Sequence, residues 1–294
     1  MLISVIVTTY NRPDALRATL AGLAAQTDRD FEVRIADDGS RDATRQTIAE
    51  IALTYPVPLT HVWQVDDGFR AGAARNNAAL AAQGEYLLFL DGDCVPRPDW
   101  IAQHRRLARR GWMVAGNRIL LSAEFTQKTL SEQTPIHAWS RQQWSQARAN
   151  GAINRTAPLT SLPLGPLRRL QARKWQRVRT CNLGVWRDDF VRVNGFDETF
   201  AGWGFEDSDL AVRLLNAGVR RLEGAYATGV LHLWHPESDR AHTGKNWDRL
   251  TERLKGRETQ PEIGLDRADR AAAAQPERDR SAVPAARAEN EAAL

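Results

Sequence analysis

The sequence is poor in cysteine, with only Cys94 and Cys181 among 294 residues. Two cysteines exclude the dense disulfide framework of small secreted domains, and neither has the spacing of a zinc site. No run of eighteen apolar residues occurs, so no segment is expected to span a membrane. The first residues form an apolar run with no basic region ahead of it, which argues against a signal peptide. We therefore expect a cytoplasmic protein.

Acidic residues are missing from 133 to 187, a stretch that holds ten arginines and lysines. This asymmetry is hidden in the formal net charge of the chain, which is only +4. Such a basic block would attract phosphates, an anionic lipid surface or nucleic acid, although a solvated basic face is the simpler interpretation. Its tryptophans have the spacing of core residues and no RNA-binding motif accompanies them, so we expect no nucleic-acid partner.

Aromatic residues are missing after Trp247, and the segment 257–294 is mainly Ala, Arg, Glu, Asp and Pro. That composition cannot bury a core and predicts a disordered tail. The rest of the chain is rich in short apolar runs. The runs at 2–8 and 86–90 are typical of buried parallel strands, and helical patterns such as 14–25 lie between them. The alternation predicts an α/β fold, a mostly parallel sheet flanked by helices.

Two further elements are predicted in the second half of the chain. The basic segment 168–179 has its apolar residues at helical spacing and is expected to form a helix. The segment 222–237 is expected to supply a last strand.

Three pairs of aspartates each follow a predicted strand. They are Asp37 and Asp38, Asp66 and Asp67, and Asp91 and Asp93. One such residue is usually a helix cap or turn residue, but three pairs on successive units favour the sheet edge where α/β proteins bind nucleotides. Asp91 and Asp93 are two apart and are expected to face the same side, toward one divalent cation or its nucleotide. Oxygen ligands suit Mg²⁺ or Mn²⁺, which would neutralise a diphosphate.

The stretch 202–210, GWGFEDSDL, places Trp203 beside three carboxylates, those of Glu206, Asp207 and Asp209. An apolar helical pattern follows, and carboxylates in a first helical turn suit the helix dipole, so a capped helix start is one interpretation. The other is a pocket in which a sugar ring stacks on the indole while a carboxylate takes a proton. We expect Asp209 to be the structural member of the three.

His232 and His235 follow about 25 residues after this acidic cluster. Imidazole is a ready ligand for Mn²⁺. In an unbroken strand residues i and i+3 face opposite sides, so only one of them is expected at a metal site unless Pro236 bends the chain. The other is expected to be a buried structural histidine.

Five segments occur in the order and spacing of family 2 glycosyltransferases with the GT-A fold. They are ISVIVTTYNRP, ADDGSRDAT, DDGFRAGAARNNA, EYLLFLDGDCVP and GWGFEDSDLAVRL. The fragment 64–100 looks especially like the transfer domains of bacterial chondroitin polymerase. WGFED is similar to the WGxED element of the β-1,4-galactosyltransferases. The resemblance covers about 3 to 247.

The resemblance implies a Rossmann-like GT-A sheet divided in two. Its nucleotide-sugar-binding half is 1–121 and its acceptor and catalytic half is 181–256. Between them, 122–180 is expected to be a basic helical insert rich in Trp and Arg, and 257–294 is the tail. The insert has no counterpart in the resemblance, and we expect it to contact the inner face of the cell membrane or a phosphorylated lipid-linked glycan.

The resemblance also implies roles for individual residues. The nucleotide-sugar contacts would be Thr9, Tyr10, Asn11, Arg12, Asp37, Asp38, Asp67, Arg70, Arg75, Asn76 and Asp91. Trp203 and Gly204 would bind the acceptor, Glu206 would contact an acceptor hydroxyl, and Asp207 would be the catalytic base. Asp93 would bind Mn²⁺ or Mg²⁺ together with a histidine. His235 fits the galactosyltransferase spacing, whereas His232 fits that of polypeptide GalNAc-transferases, so both remain candidates.

The activity implied is an inverting hexosyl transfer from a nucleotide sugar, with UDP favoured, to a glycan or lipid-linked acceptor in bacterial surface polysaccharide synthesis. Lipopolysaccharide, capsule and exopolysaccharide are all compatible with it. The chain has room for one transfer domain, so a single addition is expected instead of alternating polymerisation. The alternatives are a non-catalytic nucleotide-sugar-binding module and a metal-dependent nucleotide-sugar hydrolase.

Overall fold

A computed structural model describes residues 1–236 and 241–267 of the chain. Seven strands form its main sheet. In chain order they are β1 (Ile3–Thr9), β2 (Phe31–Asp37), β3 (Leu59–Trp63), β4 (Tyr86–Asp91), β6 (Trp112–Ala115), β8 (Asn182–Trp186) and β9 (Arg220–Glu223). Their order across the sheet is β3-β2-β1-β4-β8-β6-β9. The first four are parallel, and β8 runs antiparallel to both of its neighbours, β4 and β6. The mostly parallel α/β sheet predicted from the sequence is confirmed.

Nine α-helices connect or flank the strands in the described ranges. They are α1 (Pro13–Ala24), α2 (Asp42–Ala52), α3 (Ala71–Ala81), α4 (Trp100–Leu107), α5 (Ala123–Ser131), α6 (Arg141–Ala149), α7 (Arg187–Arg192), α8 (Glu206–Asn216) and α9 (Thr243–Lys255). None of the helices in these ranges is long and apolar enough to cross a membrane.

The central strands bury both faces because alternate residues point to opposite sides. In β1, Val5 and Val7 join a core cluster with Leu16 of α1, whereas Ile6 joins another with Ala74 of α3 and Leu210 of α8. The alanines of α3 let this helix lie close to the sheet. Both clusters are buried, so the carboxyl edge of the sheet is held from two sides.

A smaller sheet stands beside the main one and is ordered β5-β10-β7, with β5 at Cys94–Pro96, β7 at Arg118–Leu120 and β10 at Val230–His232. The prediction of one last strand over 222–237 is wrong, because this segment contains the end of β9 and, in a different sheet, the short strand β10. The turn after β9 moves the chain from the main sheet to the smaller one. In the smaller sheet His232 pairs with Cys94, which places its ring near Asp93.

The region 122–180 contains α5 and α6, which pack on the smaller sheet through a third core cluster that includes Trp144, Ile136 and Leu231. The helix predicted over 168–179 is wrong. A 3-10 helix, Gly165–Arg169, is followed by turns. The Arg168 guanidinium donates to backbone carbonyls of Leu162, Glu223 and Ala225, and the Arg221 N–H donates to the Ala172 carbonyl. These bonds to β9 and its turn replace those of a helix.

The packed chain also extends further than the predicted tail boundary at 257. The Ile263 carbonyl accepts from the Glu198 N–H at 2.9 Å, and Leu265 packs against the cluster around α8. The boundary was therefore placed too early. The rest of the predicted tail, 268–294, lies outside the described residues.

Candidate active site

The predicted acidic pairs lie along the carboxyl edge of the parallel strands. Asp37 is the last residue of β2 and Asp91 the last of β4, and they pair across β1 with Thr9 and Thr8. From the loop after β3, Asp66 Oδ2 accepts a hydrogen bond of 3.0 Å from the Tyr10 hydroxyl. The expectation that the three strand ends share one edge is thus confirmed.

A buried guanidinium, that of Arg75 in α3, lies at the centre of this edge. Its Nη2 is 3.0 Å from Asp91 Oδ1, its Nη1 is 3.1 Å from Glu206 Oε1, and its Nε donates to Thr8 Oγ1 at 2.9 Å. Burial alone would lower the pKa of Arg75, but Asp91 and Glu206 outweigh it and raise that pKa. The cation therefore joins the end of β4 to the start of α8.

Two candidates of the nucleotide side, Asp37 and Asp38, are buried and bonded within the protein. Asp37 accepts from the Ser40 N–H at 2.8 Å, and its other oxygen is 2.8 Å from His61 Nε2. Asp38 accepts from the Arg70 N–H and from Gln64, while burial raises the pKa of Asp38 to about 6. These acids shape the loops between strands.

The remaining nucleotide-side candidates divide into rim and interior residues. Tyr10 is exposed, Asn11 Oδ1 accepts from the Arg41 N–H, and Arg12 pairs with Asp14 at 3.0 Å. Asp67, also exposed, is 3.5 Å from Arg70. These side chains surround the edge.

Asn76 is different, because it is fully buried and bonds to Phe196 and Glu198. It fixes α3 to the segment before α8, so its side chain does not line the site.

Asp91 and Asp93 do not share a partner, contrary to the expectation from an extended DGD. β4 ends at Asp91, and Gly92 and Asp93 form a turn. The i, i+2 argument needs continuous strand, which is missing here. Asp91 faces Arg75, and Asp93 faces the two histidines.

Both histidines approach Asp93. His232 Nε2 is 3.8 Å from Asp93 Oδ1, His235 Nε2 is 3.4 Å from Asp93 Oδ2, and the ring centroids are 5.3 Å apart. The expectation of a single histidine applied to an unbroken strand, whereas β10 stops at His232. The chain then bends, with the Leu233 N–H bonded to the Asp93 carbonyl and the Trp234 N–H to Thr126.

The donor set fits a divalent cation. Burial raises the pKa of Asp93 and lowers the pKa of His232, so without an ion the protein disfavours the charge on each side chain. A carboxylate and neutral imidazoles are ligands that Mn²⁺ accepts, and Cys94 Sγ lies 3.6 Å from Asp93 Oδ1 as a softer neighbour.

Three residues of the loop ahead of α8 have a positive φ. Gly202 and Gly204 have φ values of 75° and 110°, and Phe205, which begins the helix as its N-cap residue, has φ 73°. A left-handed phenylalanine is strained and needs external support. Trp247 of α9 packs on its ring at 5.2 Å, and Asn246 Nδ2 donates to the Ala201 and Gly204 carbonyls. The loop leaves the Trp203 side chain 39% exposed.

Asp207 is the second residue of α8 and follows Glu206, which bonds to Arg75. Its side chain is 15% exposed, and Ser208 Oγ donates to its Oδ1 at 3.1 Å. Burial first and Glu206 second raise the pKa of Asp207 to about 6, against the opposing effect of Arg179. A mostly buried carboxylate whose pKa is raised in this way has the properties of a general base.

Asp209 has a structural role, as expected. It is fully buried, with Oδ2 2.7 Å from Arg213 Nε and Oδ1 2.8 Å from Arg253 Nε. The two cations occupy both of its oxygens. Asp209 therefore binds α8 to α9 and supports the helix that carries Asp207.

Two residues make contacts that the sequence did not predict. The Thr8 hydroxyl accepts a hydrogen bond from Arg75 Nε at 2.9 Å. Arg179 Nε lies 3.8 Å from Asp207 Oδ2. The one available signal was its place as the last cation before the strand β8, and nothing in the spacing links position 179 to position 207.

The chain is similar to known glycosyltransferases over most of its length. The family model for glycosyl transferase family 2 matches residues 4–165, and the model for the N-terminal domain of galactosyltransferase matches residues 171–236. Validoxylamine A glucosyltransferase of Streptomyces hygroscopicus subsp. jinggangensis is 32% identical over 227 residues, which cover 74% of this chain and 52% of the relative. Chondroitin synthase of Escherichia coli is 29% identical over 270 residues, with coverages of 83% and 37%. The chain thus spans about half the length of these curated relatives or less.

Two solved structures share the fold at low sequence identity. A mannosyltransferase from Pyrobaculum calidifontis in complex with GDP-Man and Mn²⁺ superposes with a TM-score of 0.57 at 18% identity, covering 85% of this chain and 64% of that one. Residues 1–349 of Staphylococcus aureus TarS in complex with UDP-GlcNAc give a TM-score of 0.62 at 15% identity, with coverages of 90% and 69%.

Proposed function

The chain belongs to glycosyl transferase family 2, and on this premise we propose that it transfers a hexose from a UDP-sugar to a glycan or lipid-linked acceptor with inversion. One observation carries the proposal. The buried Arg75 guanidinium holds Asp91, at the nucleotide edge of the sheet, and Glu206, beside the candidate base Asp207, in one site. A donor and an acceptor bound on these two sides would meet at that cation.

In the proposed reaction the acceptor sugar stacks on the exposed Trp203 ring, and Asp207 takes the proton of its attacking hydroxyl. The hydroxyl oxygen forms a bond to the anomeric carbon from the face opposite the diphosphate. The bond from that carbon to the diphosphate oxygen breaks, and the nucleotide leaves with the electron pair. A single displacement turns an α-linked donor into a β-linked product.

We assign the metal site to Asp93, His232 and His235, with Mn²⁺ or Mg²⁺ as the ion. When bound, the ion supplies positive charge that offsets the charge of the diphosphate leaving group. Support comes from the three ligand groups converging at 3.4 and 3.8 Å and from the pKa directions of Asp93 and His232.

The proposed biological setting is the synthesis of a bacterial surface polysaccharide, at the inner face of the cell membrane. It follows from the resemblance to polysaccharide synthases and from the basic region 133–187.

The test of the function is nucleotide release from a panel of UDP-glucose, UDP-galactose, UDP-GlcNAc, UDP-GalNAc and GDP-mannose. Each is incubated with Mn²⁺ or EDTA, with and without a bacterial glycolipid extract. We expect UDP release from one UDP-sugar that needs Mn²⁺ and increases with the extract. Release that no acceptor increases would instead identify a nucleotide-sugar hydrolase, and release from GDP-mannose alone would overturn the choice of UDP.

The metal assignment is tested with Asp93→Asn, for which Asp99→Asn is the matched control. Asp99 is a partly exposed aspartate that pairs with Arg97. Loss of a ligand is expected to weaken Mn²⁺ binding, measured by titration calorimetry, at least about tenfold, whereas the control keeps wild-type affinity. Equal affinity in the two variants would remove Asp93 from the metal site.

The membrane contact is proposed for residues 162–174. Leu167 and Leu170 are exposed here, Leu170 by 79%, and they stand among the exposed Arg169, Arg173 and Lys174. Apolar side chains between cations suit the interface of an anionic bilayer.

Arg169→Glu is expected to weaken binding to phosphatidylcholine vesicles with 30% phosphatidylglycerol about tenfold or more at low salt. Arg148→Glu, an equal charge change on α6, should have a much smaller effect. If the wild-type protein does not sediment with these vesicles, the contact is ruled out.

A further inference from the structure

Arg179 belongs to the basic region 133–187, and its side chain reaches the candidate site. The backbone of this residue is held on both sides, because Val178 is buried in the core cluster around α8 and Thr180 is also buried. Its Nη1 donates to the Val178 carbonyl at 2.7 Å. From this fixed position Nε reaches to 3.8 Å from Asp207 Oδ2, across the gap between the loop before β8 and the start of α8.

The exposure of the pair is unequal. The Arg179 side chain is 49% exposed and the Asp207 side chain 15%. The cation can therefore keep its solvation while the carboxylate it faces is mostly removed from water. An ion pair of this kind loses little in desolvation of the arginine, unlike a fully buried pair.

The charges around Asp207 come from three elements. Glu206 precedes it on α8 and is a like charge, and Ser208 offers its hydroxyl. Arg75 of α3 acts on Asp207 from further away, but its N–H groups already bond to Thr8, Asp91 and Glu206. Among the described residues, only Arg179 places a cationic group within 4.0 Å of the Asp207 carboxylate.

The separation of 3.8 Å has a chemical consequence. It exceeds the 2.7 to 3.2 Å of an N–H···O hydrogen bond. Arg179 thus acts on Asp207 through its charge without occupying the lone pairs of Oδ2. That oxygen remains able to accept the proton of an incoming hydroxyl.

We propose that Arg179 is a positioning residue for the transfer reaction: its guanidinium keeps Asp207 ionised and directed toward the acceptor hydroxyl without bonding to it. The inference rests on the proposed function, because it assumes that Asp207 is the base. It adds a residue outside the WGFED element to the acceptor side of the site.

The charge balance gives the direction of the effect. Burial and Glu206 raise the pKa of Asp207 to about 6, and Arg179 lowers it. Removing Arg179 raises the pKa further, so fewer molecules carry an ionised base at pH 6. At pH 8.5 the carboxylate is ionised in either case and the rate should recover.

The experiment compares Arg179→Gln and Arg179→Lys with Arg177→Gln, an exposed arginine two residues earlier. The first measurement is a ¹³C NMR titration of proteins labelled at aspartate carboxyl carbons, with Asp207→Asn identifying the signal. The midpoint is expected to move up by about one pH unit in Arg179→Gln. It should stay near the wild-type value in Arg179→Lys and in Arg177→Gln.

The second measurement is kcat/KM for nucleotide release from pH 5 to 9, with the UDP-sugar that the wild-type protein uses in the panel. Arg179→Gln is expected to lose about fivefold at pH 6, about tenfold at pH 5 and little at pH 8.5, in step with the NMR midpoint. An unmoved midpoint overturns the proposal, as does a moved midpoint that the rates do not follow. A raised donor KM with an unshifted profile would overturn it in favour of diphosphate binding. If the wild-type protein releases no nucleotide from any donor, the proposed function fails, whereas the NMR titration still decides whether Arg179 controls Asp207.

Discussion

Asp207→Asn is expected to lower kcat by about 10² to 10⁴ while leaving the dissociation constant of the nucleotide sugar unchanged. A general base contributes rate enhancement of this size, and an amide cannot take the proton. The donor should bind as before, because Asp207 lies on α8, on the acceptor side of Arg75. Turnover and donor affinity are measured by nucleotide release and by calorimetry.

The matched control for this variant is Asp188→Asn, which alters an exposed carboxylate that pairs with Arg110. It should keep wild-type turnover. If Asp207→Asn keeps it as well, another group is the base. A fall in donor affinity parallel to the fall in turnover would move Asp207 to the nucleotide side of the site.

The same substitution should not destabilise the protein. The pKa of Asp207 is raised in the folded state to about 6, from an ordinary value of 3.8. The folded protein therefore holds this proton more tightly, and the stability associated with it is lost as pH rises between these two values. At pH 8 the charged carboxylate opposes folding, so the urea midpoint of Asp207→Asn should equal or exceed that of the wild type. Loss of activity without loss of stability would show that Asp207 is needed for the reaction and not for the fold.

Asp209→Ala, two positions later, is expected to have the opposite effect and to lower the free energy of unfolding by about 3 to 5 kcal/mol. Removing this carboxylate leaves the fully buried Arg213 without a counter-charge, with only the Val193 carbonyl still accepting from its Nη1. Arg253 loses one of its two carboxylate partners, since it also contacts Asp197 at 3.1 Å. Urea denaturation followed by circular dichroism gives the change.

Asp248→Ala is the control, because it removes an exposed aspartate from α9 without touching this network. The free energy of unfolding of this control should lie within about 0.5 kcal/mol of the wild-type value. A loss below 1 kcal/mol in Asp209→Ala would mean that Arg213 and Arg253 find other partners, and that the network does not hold α8 to α9.

The sequence predicted those features that depend on local pattern. Apolar runs and turn chemistry located the parallel strands, and strand ends located the acids, because parallel strands must end at one edge. Among the three carboxylates of 202–210, the sequence also predicted that Asp209 has a structural role. Each of these arguments uses neighbours within one element or a repeated unit.

The features that were missed depend on contacts between distant elements. The helix expected at 168–179 had suitable residues, but bonds to β9 and its turn decided its conformation. His235 also approaches Asp93 because β10 is only three residues long. The chain bends after it, where the Leu233 N–H bonds to the Asp93 carbonyl and the Trp234 N–H bonds to Thr126. Arg179 and Asp207 lie in different elements, and no periodicity relates them. Tertiary hydrogen bonds and ion pairs overrode the local preferences in all three cases.

The Arg75 guanidinium also sets an order of events during synthesis. Asp91 lies 16 residues from it along the chain, whereas Glu206 lies 131 residues away. At about 5 to 20 residues per second, a ribosome needs of the order of ten seconds between making Arg75 and making Glu206. During that interval the nascent nucleotide half carries a cation that has only one of its two carboxylates. The charge pairing of Arg75 is therefore complete only after the start of α8 has emerged from the ribosome.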